Sequence, residues 1–206
     1  MTYITFAVTL FTIVNPIGSL ALFAGLAGDR PVDEQKTIAR TAAFAVTVVL
    51  IAVTWIGAQI LSFFGVTPGG LQSAGGVILI LLGLTMLRSK TPRIKSTPAE
   101  QEEALESESI AVVPLAIPIT AGPGAITSVI LATQEMGAML DRLVVSSIAI
   151  GVGLVVWVCF HFAGPIASRL GVTGIRVVTR IMGLILMSIA FQMLAAGLRD
   201  LLPGLA

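Results

Sequence analysis

Charge is what this sequence has least of. Lys, Arg, Asp and Glu make up 11% of its 206 residues, less than half of the roughly 25% of a soluble domain. With 56% hydrophobic residues and a mean hydropathy of +1.00, the composition excludes an ordinary soluble domain and assigns the chain to membranes. A net charge of +1 gives no basis for nucleic-acid binding. The single cysteine, Cys159, excludes an intrachain disulfide and any Cys-clustered metal site. The single histidine, His161, reads as an interfacial or structural side chain ahead of a proton relay. No Asp, Glu or Lys falls in the middle of an apolar run. The groups that usually mark ion and proton paths in membranes are therefore missing, and the identity of a coupling ion, H+ or Na+, is not legible. No Ser–His–carboxylate set, metal cluster or paired carboxylates occur at membrane depth, so the expectation is no enzyme, no metal and no cofactor.

Long apolar runs are plentiful. A crossing helix needs about 20 apolar residues for a hydrocarbon core roughly 30 Å thick, and six such runs are legible, at about 3–27, 40–64, 71–88, 109–134, 143–164 and 177–198. The predicted fold is all-α: one transmembrane domain over residues 1–206, with Pro68, Gly69 and Gly70 as a tight turn between spans two and three. The N-terminus lacks a basic region and a small-residue cleavage pattern, and is read as a retained first span. The only long polar insert, Ser89 to Glu108, is basic first and acidic afterwards, and reads as a solvated connector.

Basic residues set the orientation. Arg30, Lys36, Arg40, Arg88, Lys90, Arg93, Lys95, Arg169, Arg176 and Arg180 fall on one side of six crossings; Arg142 and Arg199 fall on the other. Loops 1–2, 3–4 and 5–6 are thus expected in the cytoplasm and both termini outside, in a plasma (inner) membrane. Treating spans one and four as re-entrant hairpins is less polarised and remains the alternative. Arg176 and Arg180, one turn apart at the entry to span six, suit lipid-phosphate anchoring.

The chain also repeats itself. Gly65-Val66-Thr67 precedes span three and Gly171-Val172-Thr173 precedes span six; Pro16 and Pro123 are 107 positions apart, as are Met86 and Met193. Three spans per copy (1–88 and 109–206, joined by a cytoplasmic loop at 89–108) is an odd number, so the second copy enters from the opposite face. Inverted repeats of this kind are common in secondary transporters.

Spans one and four are predicted to break near the midplane, at Asn15-Pro16-Ile17-Gly18 and Pro118-Ile119-Thr120-Ala121-Gly122-Pro123-Gly124. A proline removes a helix hydrogen bond and clashes with the preceding turn, and broken backbone at that depth survives only inside protein or beside a polar cavity. The residues after each break start a new helix with free N–H groups (Ile17, Gly18 and Ser19; Gly124, Ala125 and Ile126) and a positive dipole end. Facing ends would suit a carboxylate, and freed carbonyls an ammonium group. The candidate binding residues are Asn15, Pro16, Gly18, Ser19, Thr120, Gly122, Pro123, Gly124 and Thr127. The bland alternative is two kinked helices packed closely through glycine.

These paired motifs, Asn15 to Gly18 in span one and Ile117 to Ile126 in span four, resemble the signatures of the MarC-related family of integral membrane proteins, with a likeness across essentially the whole chain. The resemblance implies transport of small neutral amino acids, which a pocket without fixed charge would accommodate. The expected function is therefore a secondary transporter or exporter of small neutral amino acids by alternating access, with membrane lipids as surroundings. A channel for small solutes or ions, or a non-transporting membrane interaction protein, is the alternative; direction of transport and oligomeric state are not legible.

Overall fold

The computed structural model describes residues 2–27, 30–88, 121–202 and 204. Among them are seven helices and no strand: α1 Tyr3–Val14, α2 Pro16–Ala27, α3 Val32–Phe64, α4 Pro68–Leu87, α5 Pro123–Met136, α6 Met139–His161 and α7 Ala163–Leu201. Five helical stretches are long and apolar enough to cross a membrane: Tyr3–Leu20, Val32–Phe64, Pro68–Leu87, Met139–His161 and Thr173–Leu201. The first runs through the α1–α2 break. Of the predicted span at 109–134, the part up to residue 120 lies outside the described residues; the remainder is α5.

Local chemistry sets the boundaries. Thr2 caps α1 by accepting from the Thr5 N–H, and α1 ends where Pro16 can neither donate to the helix ladder nor fit beside the preceding turn. Asp33 and Glu34 stand in the first turn of α3, where the helix dipole favours negative charge. The α3–α4 turn corrects the expectation placed on Pro68 to Gly70. Gly65 ends α3 in a left-handed conformation, Thr67 accepts from the Gly70 N–H at 3.1 Å, and Pro68 to Gly70 form the first turn of α4. A Thr at the cap followed by Pro at the first helical position starts a helix, because Pro needs no donor there. At α6, the Asp141 carboxylate accepts from the Ala138 N–H at 2.9 Å.

The short, interrupted elements lie inside and the long ones outside. Half of Tyr3–Leu20 is buried, against 28% of the most apolar stretches of α3, α4 and α7. Phe6, Leu10 and Val14 of α1, Phe23 of α2, Val129 of α5 and Val145, Val156 and Phe160 of α6 form the centre of the core. The span made by α1 and α2 runs alongside α6 in the same direction. Tyr3 Oη donates to Asp141 at the start of both, and the Phe23 and Phe160 rings stack at 4.8 Å near the end of both. The first span thus accompanies α6 along its length instead of turning back as a hairpin.

α4 lies antiparallel to the second half of α7 along its length. Gly69 faces Asp200, Gly197 faces Ser73, Gly76 faces Ala190 and Leu194, and Gly83 faces Met187 and Gly183. A methyl group on Gly76 would stand 2.8 Å from the Ala190 carbonyl oxygen and the Leu194 nitrogen, so the backbones approach as closely as small-residue membrane interfaces allow. On the other flank, Gly153 of α6 packs against Thr47 and Ala43 of α3.

Candidate functional site

The first break is built on Asn15. Its φ of 48° and ψ of 60° place it in the left-handed region, and it is the one non-glycine residue there among those described. Asn tolerates this conformation better than most side chains. Its N–H closes α1 onto Phe11 O at 2.9 Å, its carbonyl oxygen accepts from the Ser19 N–H and Ser19 Oγ at 3.1 Å each, and its Oδ1 accepts from the Gly18 N–H at 3.0 Å. Asn15 therefore ends one helix and caps the next. Its Nδ2 reaches Met86 Sδ of α4 at 3.5 Å, and the residue is 6% exposed. Of the three donors expected to be free, Gly18 and Ser19 are taken by Asn15 itself. The correction has a steric root: a side chain at Gly18 would run into the Asn15 amide, so glycine there lets Asn15 fold back over the helix end.

The second break is different in kind. Gly122 is extended (φ −68°, ψ 177°), caps α5 without a side-chain hydrogen bond, and accepts from the Ala125 and Ile126 N–H groups at 2.9 and 3.1 Å. This also corrects the expected set of free donors, since two of its three N–H groups close onto Gly122. Gly124 packs on Leu79 of α4, where a Cβ would meet Leu79 Cγ at 2.6 Å, and buried Thr127 packs on Gly75 of α4. A cavity of about 60 Å³ opens beside this break, lined by Ile13, Ile78, Leu79, Leu82 and the backbone of Gly122 to Ala125. That is room for a few water molecules.

α4 is the ruler that relates the two breaks. Leu79 touches Gly124 and Met86 touches Asn15; two turns of helix, about 10 Å, separate these levels. α5 runs antiparallel to α4, since Thr127 sits by Gly75, while α2 continues in the direction of α4 and α6. The N-termini of α2 and α5 thus point toward each other from two levels, with Ile13 and the cavity between them. Among the expected site residues, Gly122, Pro123 and Gly124 line the cavity. Thr127 lies one turn behind it, and Asn15, Pro16, Gly18 and Ser19 lie beyond Ile13. Thr120 lies outside the described residues. Ile13, Ile78, Leu79 and Leu82 were not anticipated; the spacing of Leu79, Leu82 and Met86 along one face of α4 is the pattern that marks them.

A cluster of helices with apolar outer faces, broken backbone inside and a small uncharged cavity defines a multi-pass integral membrane protein. The chain belongs to the MarC family: the model of the MarC family integral membrane protein matches residues 1–202. It is 33% identical to the UPF0056 membrane protein YhcE of Escherichia coli over 98% of this chain and 94% of that protein. It is 36% identical to the UPF0056 membrane protein YvbG of Bacillus subtilis, over 96% and 94%, and 34% identical to a UPF0056 membrane protein of Buchnera aphidicola from Schizaphis graminum, over 98% and 94%. No solved structure matches the chain. Among the described residues, no group of three His, Cys, Asp or Glu side chains is placed to hold a metal ion.

Proposed function

We propose that this protein is a secondary transporter or exporter of small neutral amino acids, working by alternating access across a plasma (inner) membrane with both termini outside. The observation that carries the proposal is the N-terminus of α5, which has no side-chain cap and opens on an uncharged cavity. That helix end supplies partial positive charge for a carboxylate, and interrupted helices near the middle of a bundle are where transporters hold their solutes. A neutral zwitterion needs no fixed counter-charge, which fits a lining of apolar side chains and glycine backbone. At about 60 Å³ the cavity is smaller than an amino acid, so in this reading a solute enters when the halves part.

An inverted repeat supplies the device for parting them. Gly76 meets Ala190 and Leu194, and Gly183 meets Gly83 and Leu87. Each residue of the first set is 107 positions from its counterpart in the second, which is the reciprocity of a two-fold relation between α4 and α7. That relation and the basic residues collected at one end support a reading with six crossings. A coupling ion, H+ or Na+, is compatible with this reading, and no described residue selects between them.

Counterflow in proteoliposomes decides the matter. Vesicles loaded with unlabelled glycine, alanine or serine should take up the same labelled amino acid transiently. Absence of exchange for all three, with the protein folded by thermal denaturation, removes the proposal.

A further inference from the structure

Among the described residues from Ala121 onward, the end of the molecule where α6 hands over to α7 carries cations and no anions. From Ala121 onward the acidic residues are Glu135, Asp141 and Asp200, all near the opposite end, where Tyr3 meets Asp141 and Gly69 meets Asp200. At the α6–α7 end stand Arg169, Arg176 and Arg180. The described acids at this end are already engaged, Glu34 with Arg30 at 3.4 Å and Asp33 with Lys36 at 3.5 Å. Arg180 has a partner within the chain and is left aside. Arg169 and Arg176 are exposed and make no ion pair among the described residues.

The backbone presents these two arginines from two directions. Gly171 has φ 61° and ψ 176°, a conformation open essentially to glycine alone, and it divides α7 into a short piece, 163–170, and the span Thr173–Leu201. Arg169 precedes the bend and Arg176 follows it. Depth can be read along the span. Arg180 and Arg199 are 19 residues apart, about 28 Å, which matches the roughly 30 Å hydrocarbon core. Arg176 lies one further turn out, about 6 Å, at the level of lipid phosphates. Leu170 and Val177 beside the two arginines are 41% and 52% exposed, offering apolar surface at the mouth of the bilayer.

We propose that the bend at Gly171 forms a docking site for an anionic phospholipid, with Arg169 and Arg176 holding the headgroup phosphate and Leu170 and Val177 lying along the upper acyl chain. Arginine suits this because its planar donor fork matches phosphate geometry. The site is independent of what the protein transports.

The test uses the full chain in detergent, with lipid binding followed by native mass spectrometry. Phosphatidylglycerol should bind and phosphatidylcholine should not compete. Arg169→Gln with Arg176→Gln should bind phosphatidylglycerol about thirty-fold more weakly, from the roughly five-fold that each basic side chain near an anionic surface contributes. Arg199→Gln at the other end should bind like the wild type, and Arg169→Lys with Arg176→Lys, which keeps the charge but loses the planar fork, should fall between the wild type and the Gln double variant. Equal binding by the Gln double variant and the wild type overturns the proposal. Equal binding of phosphatidylcholine overturns it too, as does displacement of phosphatidylglycerol by millimolar inorganic phosphate, which would reassign the arginines to a soluble anion.

Discussion

The two interruptions occupy equivalent places in the chain, yet one is sealed and the other open. At Asn15 the side chain, the carbonyl and the N–H all close onto neighbouring turns, and the residue is 6% exposed. At Gly122 no side chain caps the new helix, and a cavity reaches its first turn. The contrast lies in what satisfies each break: Asn15 is a joint closed by its own side chain, whereas Gly122 leaves the first turn of α5 without a side-chain cap beside the cavity. A Pro-Gly motif alone does not separate these roles. The identity of the residue before the proline does, since Asn brings its own cap and Gly brings none.

Substitutions at the open break should have the largest effect. Gly124→Val drives methyl groups into Leu79; overpacking of this kind costs about 1–3 kcal/mol, and counterflow of alanine should fall by about ten-fold or more if that strain falls on the solute-bound state. Gly124→Val combined with Leu79→Ala should recover a large part of it, whereas persistent loss in the double variant would place the defect elsewhere. At the sealed break, Asn15→Ala loses a cap worth about 1 kcal/mol and adopts a left-handed conformation at about 1–2 kcal/mol. Asn15→Gly keeps the conformation and, as a cap, costs only a few tenths. Thermal denaturation should therefore separate the two variants clearly, and transport should survive in Asn15→Gly. Loss of transport in Asn15→Gly with unaltered stability would make Asn15 a ligand and erase the distinction between the breaks. Gly18→Ala should cost about 1 kcal/mol by displacing the Asn15 amide from the helix end, with no further cost when made in the Asn15→Gly background. Tyr3→Phe is the mildest change: its hydrogen bond to Asp141 is exposed, and both stability and counterflow should stay within error of the wild type.

Much of this arrangement was legible beforehand, and the misses have physical causes. The breaks at Pro16 and Pro123 were legible because a missing N–H and a fixed φ act locally, whatever surrounds them. The apolar runs were legible because bilayer thickness is a constant, although α3 continues back to Val32 beyond the run at 40–64. Self-capping by Asn15 is available from the rule that Asn precedes a helix whose first residue is Pro, and it takes up the donors that the break would otherwise leave free. The roles of Leu79 and Gly76 were not legible, because a close contact belongs to two segments, and their partners Gly124, Ala190 and Leu194 are distant in the chain. The part of the second motif from Ile117 to Thr120 lies outside the described residues.

The glycine seam between α4 and α7 also bears on how the protein is made. Gly76 and Gly83 find their matching surface only when residues 183 to 194 have been synthesised, about a hundred residues later and, at 5–20 residues per second, roughly 5–20 s later. Through that interval the groove of α4 faces lipid or an insertion factor, so the ribosome's pace through the second half sets how long the first half must wait for its mate.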